Sequence, residues 1–391
     1  MTIESAIQNS QQYLGDEGIA GWLLYDYRGM NPIFWDTVGP IANVTRPCWL
    51  WVPAQGEPRL LVSYVDQGRF AHLGIATELF VSRSDMTERL SALLGGAGRI
   101  AMEYSPHGAI PRVSKVDAGT LEMVRELGVE VVSSADLLQF ATQRWSEEQL
   151  GSHQEAADKL GRIVQDAFRH IGTSLASGLT EYDVAEFIRG RFAEEGLESE
   201  DGPIVAVNAH ASDPHFEPTD EASVPIDRGD WVLIDLWGHV LGESTMSADI
   251  TWTAYVGESV TETHQQVFDA VIGGRDAAVK ELTDAFAEHR ALEGWQVDKV
   301  ARDHIAAAGY GEYFSHRLGH SLGREVHGNA VNLDGWETHD TRPVIPGIAV
   351  TIEPGIYLPE FGVRSEIDVY MAEDGPRVTT EIQRSIVLIG S

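Results

Sequence analysis

Basic residues and cysteine are scarce in this sequence of 391 residues. Lys and Arg total 28 against 60 Asp and Glu, which gives a formal net charge of −32. A protein that coats nucleic acid or docks on an anionic membrane needs basic clusters, so the composition argues against both partners. Cys48 is the only cysteine, so no disulfide can form within the chain, as is usual in a reducing compartment.

Long apolar runs and a secretory leader are also missing. No stretch approaches the ~18 apolar residues that a membrane-spanning helix needs. The first residues, MTIESAIQNSQQYLGDEG, lack a basic patch followed by an apolar segment. We therefore expect a globular protein of the cytoplasm. Its length predicts two domains at roughly 100–200 residues per domain.

The first part of the chain alternates short apolar runs with amphipathic stretches, which predicts an α/β domain. Its predicted strands are residues 21–26, 47–52, 59–65, 77–82 and 100–104, and its predicted helices are 86–94 and 113–127. Ser146, followed three residues later by Gln149, has the pattern of a capping box and predicts the start of a long helix. We therefore predict domains of residues 1–142 and 143–391.

The later part of the chain predicts an α+β domain with a curved antiparallel sheet. Thr180 and Asp183 predict the start of a further helix. Beyond residue 200, predicted strands are separated by turns that contain Gly and His, and two long helices interrupt them. These strands are residues 231–236, 249–256, 348–352 and 366–371, and the helices are 262–286 and 295–308.

Four carboxylates fall at the ends of predicted strands or inside them: Asp235, Asp249, Glu353 and Glu366. A charged group at a buried strand position is costly unless it is paired or bound to a metal ion. Four such groups in one domain therefore indicate cations nearby. On spacing alone, four separate edge or ion-paired carboxylates explain the pattern equally well.

Histidines shift the balance towards a metal site. His316, His320 and His327 follow one another within the segment SHRLGHSLGREVH. His215 lies in the polar segment NAHASDPHF before the Asp235 strand, and we interpret the other histidine there, His210, as structural or solvent-exposed. Imidazole and carboxylate ligands together suit two divalent ions such as Mn²⁺, Co²⁺ or Zn²⁺. Two such ions can share a hydroxide that attacks a carbonyl group.

Residues from about 150 to 391 resemble the pita-bread metallopeptidases, the family of methionine aminopeptidase, aminopeptidase P and prolidase. The family has five metal ligands in the order Asp, Asp, His, Glu, Glu. Here the first Asp follows the apolar run WVLI. The other four matching residues lie, in order, in the segments D-I-T, H-x-x-G-H, T-I-E-P-G-x-Y and G-V-R-x-E. The resemblance implies that two divalent metal ions are bound by Asp235, Asp249, His320, Glu353 and Glu366.

The resemblance also implies roles for residues beside the metals. Glu353 would act as general base and acid, while His215 and His327 would assist at the tetrahedral intermediate and border the substrate pocket. His316 and Arg364 match positions of the aminopeptidase P and prolidase branch that hold the proline end of the substrate. That branch also has an N-terminal domain of about 140 residues.

Three departures from the family pattern put the substrate preference in doubt. The two Asp ligands are 14 positions apart, where 11 is usual. Trp252 stands where the family usually has Arg, and Gly328 follows His327 where an acidic residue is usual.

The segment GWLLYDYRGMNPI resembles a compact bacterial prolidase subgroup, which implies a homodimer. We hypothesise that Asp36 binds the free amine of the substrate and that Arg46 orients it, although a surface salt bridge would explain both residues. The predicted function is hydrolysis of Xaa-Pro dipeptides through a metal-bridged hydroxide. The alternatives are aminopeptidase P activity on longer Xaa-Pro-Xaa peptides, a non-peptidase hydrolase or lyase on this fold, and a metal-free binding protein.

Overall fold

The computed structural model describes residues 2–390, and the chain divides into two units, Met1–Arg144 and Trp145–Ser391. Each unit has its own apolar cores. Among the described residues, no helix has both the length and the apolar character that crossing a membrane requires.

The first unit is built on a mixed six-stranded sheet with the order β4-β3-β2-β1-β5-β6. Its strands are β1 (Gly21–Asp26), β2 (Cys48–Pro53), β3 (Arg59–Ser63), β4 (Ala76–Phe80), β5 (Arg99–Met102) and β6 (Glu130–Ser133). Its helices are α1 (Ile3–Asp16), α2 (Pro32–Val38), α3 (Arg83–Leu93), α4 (Ala118–Glu126) and α5 (Ala135–Thr142).

Alternation along β1 explains why this sheet is covered on both faces. Trp22 and Leu24 pack into one core, and Leu23 packs into the other. Successive side chains of a strand point to opposite faces, so an apolar run such as GWLL needs two apolar layers. The predicted helix over residues 113–127 is shorter than expected, because the Asp117 side chain caps α4 by accepting the Thr120 N–H at 2.9 Å.

The second unit contains helices α6 (Glu147–Ser174), α7 (Glu181–Glu195), α8 (Glu262–Ala287) and α9 (Gly294–Ala307). Its strands are β7 (Leu197–Glu198), β8 (Ile204–Val207), β9 (Trp231–Val240), β10 (Ala248–Val256), β11 (Ala349–Ile352), β12 (Gly355–Tyr357), β13 (Gly362–Arg364), β14 (Ile367–Ala372), β15 (Gly375–Val378) and β16 (Val387–Ile389). The predicted capping box at Ser146 is confirmed, since the Ser146 hydroxyl accepts the Gln149 N–H and the Gln149 side chain accepts the Ser146 N–H.

The strands of this unit form three groups: a sheet of β16, β10, β9, β7 and β8, a sheet of β11, β14 and β15, and the hairpin β12–β13. Val232 and Ile234 of β9 pack with α6 and α7, whereas Trp231 and Leu233 pack with α8 and α9. Since side chains alternate along a strand, Asp235 lies on the same face as Trp231 and Leu233. That face carries the polar site.

Candidate metal centre and substrate pocket

Strand pairing brings the two predicted aspartates to one face of the β9–β10 hairpin. Asp235 pairs with Thr251, and Asp249 pairs with Trp237. Residues directly opposite in an antiparallel pair share a face, as do residues two apart on one strand, so all of these side chains point the same way. The extra residues between the aspartates fall in the connection 241–247, outside the pairing.

His320 lies in the irregular segment between α9 and β11 and is held against β11. Its backbone N–H donates to the Thr351 hydroxyl at 3.0 Å, and the Thr351 N–H donates to the His320 carbonyl at 2.8 Å. Gly319 permits this approach, because a Cβ there would stand 2.1 Å from the Thr351 carbonyl oxygen. The His320 Nδ1–H donates to the Ser321 carbonyl at 3.2 Å, which gives Nε2 the lone pair of a metal ligand.

The two glutamates are brought together by the pairing of β11 with β14. Ile352 pairs with Ile367, so Glu353, which follows β11, and Glu366, which precedes β14, lie at neighbouring strand ends. Two hydrogen bonds hold Glu366 against Thr251 of β10. The Thr251 hydroxyl donates to Glu366 Oε2 at 2.7 Å, and the Glu366 N–H donates to the Thr251 carbonyl at 3.2 Å.

Ligand atoms of Asp249, His320 and Glu366 lie within 4.8 Å of one another and form a candidate metal cluster. Glu353 adjoins it, because its Oε1 is 3.4 Å from His320 Nε2. Asp235 faces the same group and also accepts a hydrogen bond from Arg364 Nη2 at 2.5 Å. The chain therefore offers one imidazole and several carboxylates around a small volume.

The charges at this cluster do not balance without a cation. Burial raises the pKa of Asp235 and Glu366, and burial together with the charge of Asp235 raises that of Asp249 well above its ordinary value. Burial also raises the pKa of Glu353 to about 7. Within residues 2–390, the structure gives no hydrogen-bond partner to Asp235 Oδ1, Asp249 Oδ1 or Glu366 Oε1. Buried carboxylate oxygens of this kind need a cation, so the donor set fits divalent metal ions.

A hydrogen-bonded chain leads away from Asp235 along the β12–β13 hairpin. Arg364 donates from Nε to the Thr251 hydroxyl at 3.1 Å and from Nη1 to the Tyr357 hydroxyl at 3.1 Å. The Tyr357 hydroxyl is 2.7 Å from His316 Nε2, and the His316 Nδ1–H donates to the Arg317 carbonyl at 2.7 Å. Burial and the charge of Arg364 lower the pKa of His316 to about 3, so its imidazole is neutral. Because Arg364 also donates to Asp235, this chain connects His316 to a candidate metal ligand.

A cavity of about 570 Å³ opens over the cluster. All the predicted site residues of the second unit line it: His215, Asp235, Asp249, His316, His320, His327, Glu353, Arg364 and Glu366. The ring centroids of His320 and His327 are 4.3 Å apart, with an interplanar angle of 61°. Asp36 of α2 and Arg46 belong to the first unit, where the Arg46 guanidinium donates to the Thr45 hydroxyl at 2.7 Å. Their role at the substrate stays a prediction.

Two further residues of this cavity escaped the sequence analysis, Arg317 and Glu337. Arg317 donates to Glu337 from its backbone N–H at 3.0 Å and from Nη1 at 3.4 Å. Arg317 stands inside the SHRLGH segment, so the motif contained the signal. Tyr357 likewise stands in the quoted E-P-G-x-Y pattern, but its contact with Arg364 depends on the hairpin pairing.

The departures from the family pattern have structural causes. Trp252 is buried with α6 on the face of β10 opposite to Asp249 and Thr251, so it does not reach the cavity. Gly328 is confined by backbone, since a Cβ there would stand 2.9 Å from the Leu322 carbonyl oxygen. An acidic side chain at this position would require the neighbouring backbone to move.

Comparison with known proteins identifies the class of protein that this fold and site define. The model of metallopeptidase family M24 matches residues 155–373, and the chain belongs to that family. The chain is 34% identical over 266 residues to the uncharacterized peptidase YqhT of Bacillus subtilis, covering 66% of this chain and 70% of that protein. It is 29% identical over 338 residues to the probable dipeptidase PepE of Mycobacterium tuberculosis, covering 86% and 83% respectively.

Solved structures confirm the predicted pita-bread fold. The crystal structure of the dipeptidase PepE from Mycobacterium ulcerans matches with a TM-score of 0.75 at 24% identity, covering 99% of this chain and 98% of that one. The prolidase from Pyrococcus horikoshii matches with a TM-score of 0.64 at 24% identity, covering 98% and 99%. Both matches extend over nearly the whole of each chain.

Proposed function

We propose that this protein hydrolyses Xaa-Pro dipeptides with two divalent metal ions held by Asp235, Asp249, His320, Glu353 and Glu366. The observation that carries the proposal is a cluster of buried carboxylates beside His320, three oxygens of which, Asp235 Oδ1, Asp249 Oδ1 and Glu366 Oε1, have no hydrogen-bond partner within the described part of the chain. Family membership supports a peptidase, and relatives named dipeptidase support a short substrate. Mn²⁺, Co²⁺ and Zn²⁺ all accept such a mixed set of imidazole and carboxylate ligands.

Bound divalent ions would supply Lewis acidity and a water acidified for attack near neutral pH. Glu353 is assigned the proton transfer: the Thr351 hydroxyl donates to Oε1 at 3.1 Å and fixes the carboxylate, and the other oxygen takes the proton of the attacking water. The same oxygen then delivers that proton to the leaving nitrogen of proline. His215 and His327, which line the cavity, donate hydrogen bonds to the oxygen that becomes negative in the transition state.

The proline end of the substrate is assigned to His316, Arg364 and Arg317. His316 and Arg364 border that side of the cavity through their shared contact with Tyr357. Arg364 already donates to Asp235 and Thr251, so we assign the substrate carboxylate to the Arg317 guanidinium. Arg317 is paired with Glu337, a half-exposed side chain that a bound carboxylate can displace.

Aminopeptidase P activity is the second candidate, because a neighbouring cavity gives room for a longer peptide. This cavity, of about 710 Å³, shares Ile204, His215 and Trp237 with the first. The two functions differ in how the residue after proline is treated. An enzyme that binds the proline carboxylate rejects a tripeptide, whereas aminopeptidase P cleaves it.

Release of the first residue from Xaa-Pro, Xaa-Pro amide and Xaa-Pro-Xaa tests both candidates, with the protein loaded with Mn²⁺, Co²⁺ or Zn²⁺ in turn. We expect hydrolysis of the dipeptide, weak hydrolysis of the amide and the tripeptide, and loss of activity in Glu353→Gln. The matched control is Glu360→Gln, an exposed glutamate between β12 and β13. Full activity of Glu353→Gln would refute the assignment, and preference for the tripeptide would favour aminopeptidase P.

A further inference from the structure

A buried carboxylate outside the metal centre joins the two ends of one surface loop. Glu181 is the first residue of α7 and is completely buried. Its Oε1 accepts the Val207 N–H at 2.7 Å, at the end of β8, and its Oε2 accepts the Val224 N–H at 2.9 Å. Residues 208–224 between these two amides are called the His215 loop. Both of its ends are therefore bound to one side chain.

His210 contacts Glu181 from inside the loop, and these two side chains together are called the clamp. Its Nδ1 lies 2.9 Å from both oxygens of Glu181. Its ring stacks on Phe216 with the centroids 4.2 Å apart and an interplanar angle of 24°. Phe216 adjoins His215 in the chain, so Glu181 is connected to His215 through two side-chain contacts. The sequence analysis interpreted His210 as structural or solvent-exposed, and the structure gives it this specific partner.

The other side of the His215 loop rests on the hairpin that carries Tyr357 and Arg364. The Ser212 hydroxyl donates to the Leu358 carbonyl. Gly362 lies so close to the loop that a Cβ there would stand 1.8 Å from the Ala211 carbonyl oxygen. The hairpin therefore fixes the start of the loop, while Glu181 fixes both ends and, through His210, the segment that reaches His215.

The His215 loop forms part of the walls of both cavities. Pro214 and His215 line the cavity over the metal cluster. His215, Glu217, Pro218, Thr219 and Asp220 line the neighbouring cavity. A displacement of this loop would move His215 and change the shape of both cavities. A misplacement of about 1 Å in such a wall can alter turnover of a bound substrate by orders of magnitude.

Burial of Glu181 is costly in itself, since a carboxylate removed from water must recover its solvation through hydrogen bonds. An apolar side chain of similar volume would fill the space at less cost, but it could not bind two backbone amides and an imidazole. We propose that Glu181 and His210 are positioning residues that hold the His215 loop, and with it His215, in the geometry that the substrate requires. This inference rests on the proposed peptidase function for its kinetic consequence only.

Four variants test the clamp by hydrogen exchange and by kinetics on an Xaa-Pro dipeptide. Glu181→Gln replaces one acceptor oxygen with a donor, and His210→Leu removes the imidazole. His210→Asn places an amide N–H near the position of Nδ1 and is the conservative rescue. Glu194→Gln, an exposed glutamate of the same helix, is the matched control.

We expect faster amide exchange at residues 207–224 in Glu181→Gln and His210→Leu. We also expect kcat for an Xaa-Pro dipeptide to fall by roughly tenfold in both, because a displaced His215 no longer stabilises the transition state, with a much smaller change in KM. His210→Asn restores the hydrogen bond to Glu181 but not the ring contact with Phe216, so it should recover most of the exchange protection that His210→Leu loses. Glu194→Gln should keep the exchange and the kcat of the unaltered protein.

A purely structural role would lower the unfolding temperature without changing the kcat of the folded protein, so that outcome overturns the inference. Unchanged exchange across the His215 loop in Glu181→Gln overturns it as well. If the unaltered, metal-loaded protein hydrolyses no Xaa-Pro dipeptide, the proposed function fails, and loop exchange alone then supports or overturns the clamp.

Discussion

Glu103 of the first unit offers a test in which the structure sets the magnitude. Its carboxylate is completely buried and accepts hydrogen bonds from Trp22 Nε1 at 2.6 Å, Asn31 Nδ2 at 3.0 Å and the Ser134 hydroxyl at 3.4 Å. Burial raises the pKa of Glu103 from 4.5 to about 7, although the hydrogen bonds oppose this shift. The folded protein therefore binds the Glu103 proton more tightly than the unfolded chain does.

The sign of the effect follows from this difference. The folded state is most favoured below the unfolded pKa of 4.5, and its stability falls as the pH rises through the folded pKa of about 7 and levels off at higher pH. At 1.36 kcal/mol per pKa unit, the full loss is about 3 kcal/mol. By the same linkage, most of this loss falls between pH 5 and pH 8.

Glu103→Gln removes this titration while keeping the shape of the side chain. In this variant an amide nitrogen replaces the oxygen that accepts the Asn31 hydrogen bond, which costs stability at every pH. The diagnostic quantity is therefore the change with pH in the stability difference between the variant and the unaltered protein. We expect the difference in free energy of unfolding between variant and unaltered protein to move in favour of the variant by roughly 2 to 3 kcal/mol from pH 5 to pH 8. Urea unfolding of the first unit, followed by tryptophan fluorescence at both pH values, measures it.

Glu130→Gln is the control for this measurement, because Glu130 lies exposed on β6 of the same sheet. It should show no such pH-dependent difference. The reasoning would be refuted if the difference in free energy of unfolding between Glu103→Gln and the unaltered protein were the same at pH 5 and pH 8. It would also be refuted if that difference favoured the unaltered protein more at pH 8 than at pH 5.

Three further predictions concern the proposed site. Chelation should abolish Xaa-Pro hydrolysis and lower the unfolding temperature at pH 8, and added Mn²⁺ should restore both. If calorimetry shows that no divalent ion stabilises the protein, the metal assignment is contradicted. Arg317→Ala should raise KM for an Xaa-Pro dipeptide by roughly 10- to 100-fold, with little effect on the Xaa-Pro amide, and equal effects on both would exclude Arg317 as the carboxylate ligand. Asp36→Ala should weaken dipeptide cleavage and relax the length limit, and unchanged dipeptide and tripeptide kinetics would disprove the amine-binding hypothesis.

The four candidate carboxylate ligands could be predicted because each one lies inside or at the end of a predicted strand, whereas His320 was predicted from its histidine-containing segment and the family resemblance. Asp235 follows four apolar residues, and Glu353 ends an apolar strand before Pro354. A strand pattern locates such a charge in the interior without knowledge of its partners, so spacing alone left separate ion-paired carboxylates as an equal alternative. The ligand set itself came from the family resemblance. The structure brings the predicted ligands to one cavity through the β9–β10 and β11–β14 pairings.

Residues that act through distant partners could not be predicted in this way. The partners of Glu181 are 26, 29 and 43 positions away, and Glu103 contacts residues 81 and 72 positions before it. No local pattern records such pairings, because a single Glu near a helix start is ordinary capping chemistry. Arg317 is a different case: it lies within the quoted motif, but its access to the cavity depends on how the segment before β11 folds.

The departures from the family pattern show that strand register constrains the site more strongly than residue counts do. In an antiparallel pair, the face of a side chain is set by the register, so residues added in the connection 241–247 leave Asp235 and Asp249 on one face. The same parity places Trp252 on the opposite face, within the core under α6. Neither Trp252 nor the connection 241–247 lines the cavity over the metal cluster. Differences in substrate specificity within this fold must therefore come from side chains that line the cavity. Arg364 lines it but is paired with the candidate metal ligand Asp235, whereas Arg317 is paired with Glu337, which is not a candidate ligand.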